Sequence, residues 1–328
     1  MPDHTDTLQP PLLEVQGLKK DFPVKRGLFG GPRKYVHAVD DLSFTLSPGE
    51  TIGVVGESGC GKSTAARMIV RLVEPTAGRV LLNGVDITAL PPAKMREFRR
   101  SIQFIFQDPY SSLNPRLRAG DIVSEPLVNF GIARGSELTE RVEWLFDRVG
   151  LRRELIDRLP HEFSGGQRQR LGIARALAVN PKVIVADEAV SALDVSVQAQ
   201  VINLLRDLQD EFGIAYIFIA HDLAVVQHIS HRVAVMYLGQ MVEFGARDAV
   251  FRSPQHPYTE ALMNSVPIPD PEVTTTDVVL SGEVPSPMNP PPGCRFHTRC
   301  PLAIDKCRSV QPPIKEVAPG HRVACHLR

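Results

Sequence analysis

The stretch "GESGCGKST", Gly56 to Thr64, follows the apolar run "ETIGVVG" and opens the helical pattern "KSTAARMIVRL". It matches G-x-x-x-x-G-K-[ST], the motif of a phosphate-binding loop, in the strand-then-helix context that this loop requires. Glycines let successive backbone N–H groups point at phosphate oxygens, and the helix N-terminus adds partial positive charge. We expect a nucleotide-binding loop here, since a chance glycine turn rarely carries this context.

Within this loop, Lys62 is expected to reach the β- and γ-phosphates, and the Ser63 hydroxyl to ligate Mg²⁺. We interpret Cys60 as a residue that only fills space within the loop. The residues predicted to bind the nucleotide are Gly56, Glu57, Ser58, Gly59, Cys60, Gly61, Lys62, Ser63 and Thr64.

An acidic pair ends a second apolar run, "KVIVADE". A carboxylate at such a strand end can hold the metal ion, and the next can act on the attacking water. We therefore expect Asp187 to help hold Mg²⁺ through a water molecule and Glu188 to act as general base. An ordinary strand end with solvated carboxylates is the alternative, and the pair gains weight only from the phosphate-binding loop upstream.

Short β-rich runs alternate with helical patterns through most of the chain, for example "IAYIFIA" followed by "DLAVVQHI". This alternation predicts an α/β domain with a largely parallel sheet. About 75 residues between "IQFIFQ" and "KVIVAD" contain helical stretches and no convincing strand, which predicts an inserted helical subdomain over about 108–178. Half of the 28 prolines lie from Pro254 onward, so the end of the chain is predicted to be an irregular appendage.

Charge and hydropathy exclude several classes of protein. Thirty-seven basic residues balance thirty-seven acidic ones, so no global field attracts nucleic acid or an anionic membrane, and no basic patch is evident. The longest apolar runs are far shorter than the roughly 20 residues that span a bilayer. We expect a soluble cytoplasmic protein that does not bind nucleic acid.

The stretch "FSGGQRQRLGIARAL", just upstream of the acidic pair, resembles the signature sequence of ATP-binding cassette (ABC) proteins. The resemblance implies a P-loop NTPase core of the ABC type, with an antiparallel β region at its N-terminal side. It also implies that signature residues contact the γ-phosphate held by a second cassette, so that two cassettes close around two ATP molecules. The residues concerned are Ser164, Gly165, Gly166 and Gln167.

Other cassette elements follow in the family's order. Gln107 resembles the glutamine that contacts the metal and couples the nucleotide site to the helical subdomain. The stretch "SALD", which ends at Asp194, resembles the loop that crosses to the opposite subunit. His221 resembles the histidine that senses the γ-phosphate. A lone histidine is more often structural. Tyr35 is our candidate for stacking on adenine, with a plain strand residue as the alternative.

The flanking words "FQDPYSSLNPR", "PHEFSGGQRQR" and "SPQHPYTEALMNSVPIPDP" are similar to the ATP-binding subunits of bacterial dipeptide and oligopeptide importers, a group that includes nickel importers. This implies peptide import powered by ATP hydrolysis. It implies two membrane permease subunits, a second ATPase subunit in a heterodimer or homodimer, and an extracytoplasmic solute-binding protein. The chain would lie at the cytoplasmic face of the inner membrane. A nickel or other solute importer, or a DNA-repair or translation cassette, stays open as an alternative.

Four of the five cysteines fall in the last 35 residues, with the spacing C-x5-C-x6-C-x17-C. Four thiols in a reducing compartment suggest metal, either a four-cysteine zinc site or an iron–sulfur cluster. Some members of the peptide-importer family bind a [4Fe–4S] cluster through such residues, which implies the cluster, with zinc or unligated thiols as alternatives. The implied ligands are Cys294, Cys300, Cys307 and Cys325. His297, His321 and His326 lie nearby and are interpreted as loop histidines.

The chain is thus predicted to divide into three parts: a disordered tail over residues 1–11, an ABC nucleotide-binding domain over 12–252, and an extension of the oligopeptide-transporter type over 253–328.

Overall fold

The computed structural model describes residues 10–24, 34–264 and 282–328. Residues 1–9 of the tail that was predicted to be disordered lie outside the described residues. Among the described residues, no helix is both long and apolar enough to cross a bilayer.

The strands of the described residues, in chain order, are β1 (Leu13–Pro23), β2 (Tyr35–Leu46), β3 (Thr51–Val55), β4 (Ala77–Leu82), β5 (Val85–Asp86), β6 (Ile102–Ile105), β7 (Val183–Asp187), β8 (Ala215–Ile219), β9 (Arg232–Tyr237), β10 (Gln240–Ala246), β11 (Lys315–Ala318) and β12 (His321–Val323). The α-helices are α1 (Lys62–Ile69), α2 (Pro92–Arg99), α3 (Pro109–Ser112), α4 (Ala119–Asn129), α5 (Ser136–Arg148), α6 (Gly165–Leu177), α7 (Val195–Phe212), α8 (Leu223–Ile229), α9 (Arg247–Arg252), α10 (Pro257–Asn264) and α11 (Asp305–Ser309).

The larger of two sheets has the strand order β11-β12-β10-β9-β3-β8-β7-β6. Its strands from β9 to β6 are mutually parallel, which confirms the α/β prediction. All residues of β7 are buried, and alternate residues enter different hydrophobic cores: Ile184 packs in the core shared with α6 and α7, whereas Val183 and Val185 pack in the core shared with α1. A parallel sheet covered on both faces requires such continuously apolar strands.

The smaller sheet is antiparallel, with the order β2-β1-β4-β5. It corresponds to the antiparallel β region expected near the N-terminus. Its strand β2 runs alongside the phosphate-binding loop, because the Asp40 N–H donates to the carbonyl of Gly239 and Gly239 in turn donates to the carbonyl of Cys60.

The stretch between β6 and β7, all of which the structure describes, contains helices and turns but no strand. Buried residues of α4, among them Ile122, Val123 and Leu127, share one core with Leu145 and Phe146 of α5. The helical insert therefore packs as part of the main core and is not a separately buried unit.

The appendage after residue 253 contributes more regular structure than its prolines suggested. Strand β12 pairs antiparallel with β10, with Glu243 opposite Val323, and so extends the main sheet at its edge. The carboxylate of Glu243, fully buried, accepts hydrogen bonds from the backbone N–H groups of Gln255 and His256 at 2.8 Å each and from His321 at 2.7 Å. A buried acid satisfied by three donors fixes the appendage to the core.

Candidate active site

The phosphate-binding loop connects β3 to α1 and depends on glycine at defined points. Gly61 has a φ of +107°, and a Cβ there would lie 2.1 Å from the carbonyl oxygen of Ala38. A Cβ on Gly56 would lie 2.2 Å from the carbonyl oxygen of Met236. Any other residue would force the loop away from β2 and β9, so these glycines let the loop lie closely against both strands.

Lys62 lies inside the loop with only 5% of its surface exposed. Its Nζ donates to the carbonyl oxygens of Gly56 at 2.7 Å and Glu57 at 3.0 Å. A buried ammonium group must be paired or hydrogen-bonded. These two carbonyls satisfy the ammonium group within the loop.

The loop opens into a cleft of about 400 Å³. The loop residues that line it are Ser58, Gly59, Gly61, Lys62, Ser63 and Thr64. The other described residues that line it are Phe22, Val36, Ala38, Gln107, Glu188 and Pro287. The cleft thus combines the phosphate loop, the smaller sheet, the ends of two parallel strands and the appendage.

Asp187 and Ser63 meet at the floor of the site. The Ser63 hydroxyl donates to Oδ1 of Asp187 at 2.8 Å, and Asp187 is completely buried. Burial raises the pKa of Asp187, and its Oδ2 has no hydrogen-bond partner among the described residues. A buried carboxylate oxygen without a donor, beside a hydroxyl, is a donor set that suits a hard divalent cation such as Mg²⁺. The residues present therefore fit the expected metal.

Glu188, Gln107 and His221 converge beside this pair. They follow the carboxyl ends of β7, β6 and β8, which are neighbouring parallel strands and so bring their following residues together. Nε2 of Gln107 donates to Oε2 of Glu188 at 2.8 Å, and Nδ1 of His221 lies 3.7 Å from the same oxygen.

The backbone also holds Glu188 in an unusual conformation. Its φ is +48°, a left-handed value that is uncommon outside glycine, and its N–H donates to the carbonyl of Ile219 at 3.0 Å. Both the Ser191 N–H and hydroxyl donate to its carbonyl. Strained backbone of this kind is retained where neighbouring structure fixes it, commonly at functional sites.

The signature residues lie elsewhere on the surface. Ser164 caps α6: its hydroxyl accepts from the Gln167 N–H at 3.3 Å, while the Gln167 side chain accepts from the Ser164 N–H at 2.9 Å. A Cβ on Gly166 would lie 2.5 Å from Val197, so the helix start packs too closely on α7 for a larger residue. None of the signature residues, nor Asp194, is among the described residues that line the cleft. Within one chain, the signature residues therefore form a partly exposed helix N-terminus that does not line the chain's own cleft.

Two residues that the sequence predicted to bind the nucleotide are not among the residues that line the cleft. The first is Tyr35; Phe22, on the strand paired with the start of β2, lines the cleft and has 38% of its surface exposed. The second is Glu57, whose N–H donates to the hydroxyl of Tyr258 at 2.9 Å.

Gly56 and Cys60 likewise do not line the cleft. Burial raises the pKa of the Cys60 thiol, and only 5% of the residue is exposed. Both residues belong to the loop but lie outside the lining of the cleft.

The four cysteines of the appendage come together in the structure. The Cys294 N–H donates to the carbonyl of Cys307 at 2.8 Å. Burial, together with the three neighbouring thiols, raises the pKa of Cys294 to about 11, and burial also raises the pKa of Cys300. All five cysteines of the chain are free. The donor set, four clustered thiols, suits a thiophilic metal or cluster.

The described residues contain no group of three histidine, cysteine or acidic side chains arranged to hold one metal ion. A single tetrahedral zinc, with Zn–S near about 2.3 Å, would require the sulfurs to lie close together. The thiols are therefore neighbours, but they are not in the arrangement of a mononuclear site.

Sequence reasoning missed four residues that line the cleft, Phe22, Val36, Ala38 and Pro287, and one that contacts the loop from outside the cleft, Tyr258. Phe22, Val36 and Ala38 belong to no motif that could have identified them. Pro287, whose carbonyl accepts from the His37 N–H at 3.0 Å, lies in the proline-rich appendage and gave no signal.

Comparison with known families gives two matches. Residues 39–191 match the family model described as ABC transporter, and residues 242–307 match the one described as oligopeptide/dipeptide transporter, C-terminal region. A probable peptide ABC transporter ATP-binding protein of Sinorhizobium fredii is 58% identical over 97% of this chain and 90% of its own length. The oligopeptide transport ATP-binding protein AppF of Bacillus subtilis is 54% identical over 97% of this chain and 98% of its own.

Solved structures with the same fold include the dimeric, post-hydrolysis ATP-binding cassette MJ0796 bound to ADP and phosphate. It has a TM-score of 0.64 and 29% identity, and the match covers 72% of this chain and 98% of that one. CbiO1 of Clostridium perfringens, part of an ABC transporter complex, has a TM-score of 0.64 and 28% identity over 75% of this chain and 92% of its own.

Proposed function

The chain belongs to the ABC transporter family as an ATP-binding, ATP-hydrolysing subunit, and from that premise we propose that it drives import of di- or oligopeptides through separate membrane permease subunits. The relatives at more than half identity are named for peptide transport. The match of residues 242–307 to the oligopeptide/dipeptide transporter C-terminal region supports the same class of solute. We assign residues 12–252 to the nucleotide-binding domain and 253–328 to this extension.

ATP binding begins at the phosphate loop. Lys62, which the carbonyl oxygens of Gly56 and Glu57 hold within the loop, contacts the β- and γ-phosphates, and the N–H groups of the loop surround the phosphates. Phe22 supports the base at the other end of the cleft. Ser63 and Asp187 hold Mg²⁺, with Gln107 nearby. When bound, the ion neutralises charge that develops on the phosphate oxygens.

Hydrolysis requires a water positioned for attack on the γ-phosphorus. Glu188 accepts the proton of that water, and Gln107 orients the carboxylate through its 2.8 Å hydrogen bond. His221, 3.7 Å from the carboxylate, has a side chain that is 61% exposed and can turn toward the γ-phosphate. Lys62 stabilises the negative charge of the transferring group.

A second cassette completes the site. The helix N-terminus capped by Ser164 is partly exposed and lies outside the cleft of its own chain. The Ser164 hydroxyl already accepts from the Gln167 N–H, so the N–H groups of Gly165 and Gly166 are the ones offered to a γ-phosphate bound by a partner. Asp194 directly precedes α7 and would contribute to the contact with the second cassette. ATP favours the closed pair, and loss of the γ-phosphate favours reopening, which transmits motion to the permeases.

The observation that carries this proposal is the meeting of Ser63, Asp187, Gln107, Glu188 and His221 at one end of the parallel sheet. The test is uptake of labelled oligopeptides by vesicles that contain the permeases, the binding protein and this chain. We expect uptake that requires ATP and is lost without this subunit. Uptake of nickel in place of peptides would contradict the solute class, and stimulation of ATPase activity by DNA or ribosomes would contradict a role in transport.

We further place the chain at the cytoplasmic face of the inner membrane, with two permease subunits, a second and different cassette, and an extracytoplasmic solute-binding protein that acts indirectly. Affinity purification from membranes should recover both permeases with a second cassette. Recovery of this chain as the sole ATPase subunit would replace the heterodimer with a homodimer.

The four appendage cysteines, Cys294, Cys300, Cys307 and Cys325, are proposed to hold a [4Fe–4S] cluster. Four neighbouring free thiols, a donor set of the kind that such clusters use, support it. Anaerobic purification should give a brown protein with acid-labile sulfide. A colourless protein that contains zinc and no sulfide would overturn the cluster.

A further inference from the structure

An ion pair joins the cysteine-bearing appendage to the phosphate-binding loop. Arg299, next to Cys300, has only 7% of its surface exposed. Its two terminal nitrogens donate to the two carboxylate oxygens of Glu57, at 2.8 and 3.0 Å. The partners lie 242 positions apart in the sequence. Bidentate, charge-assisted pairs of this kind are among the stronger hydrogen-bonded contacts, and they fix orientation as well as position.

Each polar group of Glu57, the N–H, the carbonyl and the carboxylate, has a hydrogen-bond partner. Its N–H donates to the Tyr258 hydroxyl at 2.9 Å, and its carbonyl accepts from Lys62 at 3.0 Å and from the Cys60 N–H at 3.2 Å. Two of the four contacts, those from Tyr258 and Arg299, come from the part of the chain after residue 253.

The aromatic cluster behind Arg299 keeps it in place. The ring of Phe296 lies 5.2 Å from that of Tyr237 and 5.4 Å from that of Tyr258, centroid to centroid. One terminal nitrogen of Arg299 lies 3.5 Å from the Tyr237 hydroxyl. Because Phe296 and Arg299 belong to the same short loop as Cys294 and Cys300, the fold of this loop determines where the guanidinium lies.

Because Glu57 is charged, its ion pair with Arg299 affects how strongly the loop binds ATP. An unpaired carboxylate beside the loop would repel the negative charge of the triphosphate. Loss of one partner of a largely buried pair leaves the other charge uncompensated. Arg299 neutralises the carboxylate of Glu57 and so prevents this repulsion. It does so from outside the cleft, because it is not among the described residues that line the cleft.

We propose that Arg299 is a positioning residue for ATP: through Glu57 the appendage sets the conformation and charge of the phosphate-binding loop, and thereby the affinity of the site for nucleotide. The inference rests on ATP binding at this loop, as proposed above. It gives the appendage a direct part in nucleotide binding, whichever group its cysteines hold.

Arg295 supplies a matched control within the same loop. It too is largely buried, with 10% of its side chain exposed, and it pairs with Asp40 at 2.7 Å. Its other partner is the carbonyl of Leu238. Arg295 therefore docks the appendage on β2 and the turn after β9, and among the described residues no hydrogen bond or ion pair joins it to Glu57. Replacement of Arg295 tests docking alone.

The experiment compares full-length R299M, R299K, E57Q, R295M and the double variant E57Q/R299M. Binding of a fluorescent ATP analogue gives Kd, steady-state hydrolysis separates KM from kcat, and hydrogen exchange reports on the amides of residues 56–64. For R299M we expect Kd and KM about tenfold higher, from the loss of a charge-assisted pair. Since Arg299 touches no reacting atom, kcat should stay within about twofold.

The remaining variants distinguish positioning from general support. R299K should give an intermediate Kd, because lysine keeps the charge but not the bidentate geometry. E57Q/R299M should recover most of the affinity lost by R299M, since no unpaired charge remains. R295M should bind the analogue within about twofold of wild type, without faster exchange in the loop.

Wild-type Kd and loop exchange in R299M would overturn the proposal. Equal losses in R299M and R295M would also overturn it, because docking alone would then account for the effect. Absence of ATP binding by the wild-type chain would overturn the proposed function and this inference together, whereas normal wild-type binding with an unaffected R299M rejects this inference alone.

Discussion

The phosphate-binding loop takes nine consecutive residues and lies at the end of a parallel sheet whose central strands are completely buried, whereas the four appendage thiols are spread over residues 294–325 among turns and short elements. The longest helix near the thiols, α11, has five residues. The loop thus takes its geometry from a large apolar core, while the appendage depends on polar anchors such as Glu243 and on whatever its cysteines bind. Changes to one region should therefore have effects that differ in kind from changes to the other.

The largest effect is expected at the catalytic carboxylate. Glu188→Gln removes the proton acceptor but keeps the shape and the backbone contacts, so turnover should fall by about a thousandfold. ATP affinity should stay close to that of the wild type, and so should the content of metal in the appendage. Phosphate release and equilibrium nucleotide binding measure the first two quantities.

Glu140→Gln makes the same chemical change at an exposed position of α5 and serves as the control. It should hydrolyse ATP at the wild-type rate. Unchanged turnover in Glu188→Gln would remove the general base from the assignment.

Next in size is the loss of the cluster that we propose for the appendage. Cys300→Ser removes one of the four thiols, and iron should fall from about four atoms per chain to near zero. The appendage should also become sensitive to protease, because ligation supplies folding free energy that this small region lacks.

Cys60→Ser is the matched control, since Cys60 is equally a free cysteine but lies in the phosphate loop. It should keep its iron. If both variants kept full iron content, Cys300 would not be a ligand, and a loss in both would contradict the separation of the two regions.

Glu243→Gln tests the polar anchor of the appendage. The substitution replaces one acceptor oxygen by an NH₂ group that faces backbone donors, so the free energy of unfolding should fall by about 3 kcal/mol. Chemical denaturation measures the change. Glu316→Gln, at an exposed residue of β11, should alter stability only slightly. Equal stability of both variants would show that the anchor contributes nothing.

The smallest expected effect is a dependence of stability on pH at the same junction. Complete burial lowers the pKa of His256 from 6.5 to about 3. Unfolded chains take up a proton on this side chain as the pH falls below 6.5, whereas the folded chain does not, so its contribution to stability is present above pH 6.5 and is lost on acidification.

Between pH 7 and pH 5 this side chain alone should cost about 2 kcal/mol of folding free energy. His256→Asn keeps an acceptor for the Tyr258 N–H, 3.1 Å from Nδ1, and does not titrate. Denaturation at both pH values should show a smaller loss in this variant. An unchanged loss would place the acid sensitivity elsewhere in the chain.

The sequence by itself determined the elements whose residues are contiguous or follow a local rule. The phosphate-binding loop could be read from its motif because its function depends on successive backbone N–H groups. The acidic pair could be predicted from the end of an apolar strand, and Gln107 and His221 from the resemblance to ABC proteins. They meet because they follow neighbouring parallel strands, whose ends lie at one edge of the sheet. The apolar runs predicted the parallel sheet itself because their burial on both faces leaves no room for polar residues.

Only the tertiary structure decided the contacts that join distant segments. It placed Phe22 rather than Tyr35 at the cleft, paired β12 with β10, and joined Arg299 to Glu57 across 242 positions. No periodicity or motif encodes such partners, since an arginine between two cysteines is equally compatible with a solvated loop. The pairing arises because the aromatic cluster of Phe296, Tyr237 and Tyr258 excludes water at that point, and a charge buried there must find its counterpart.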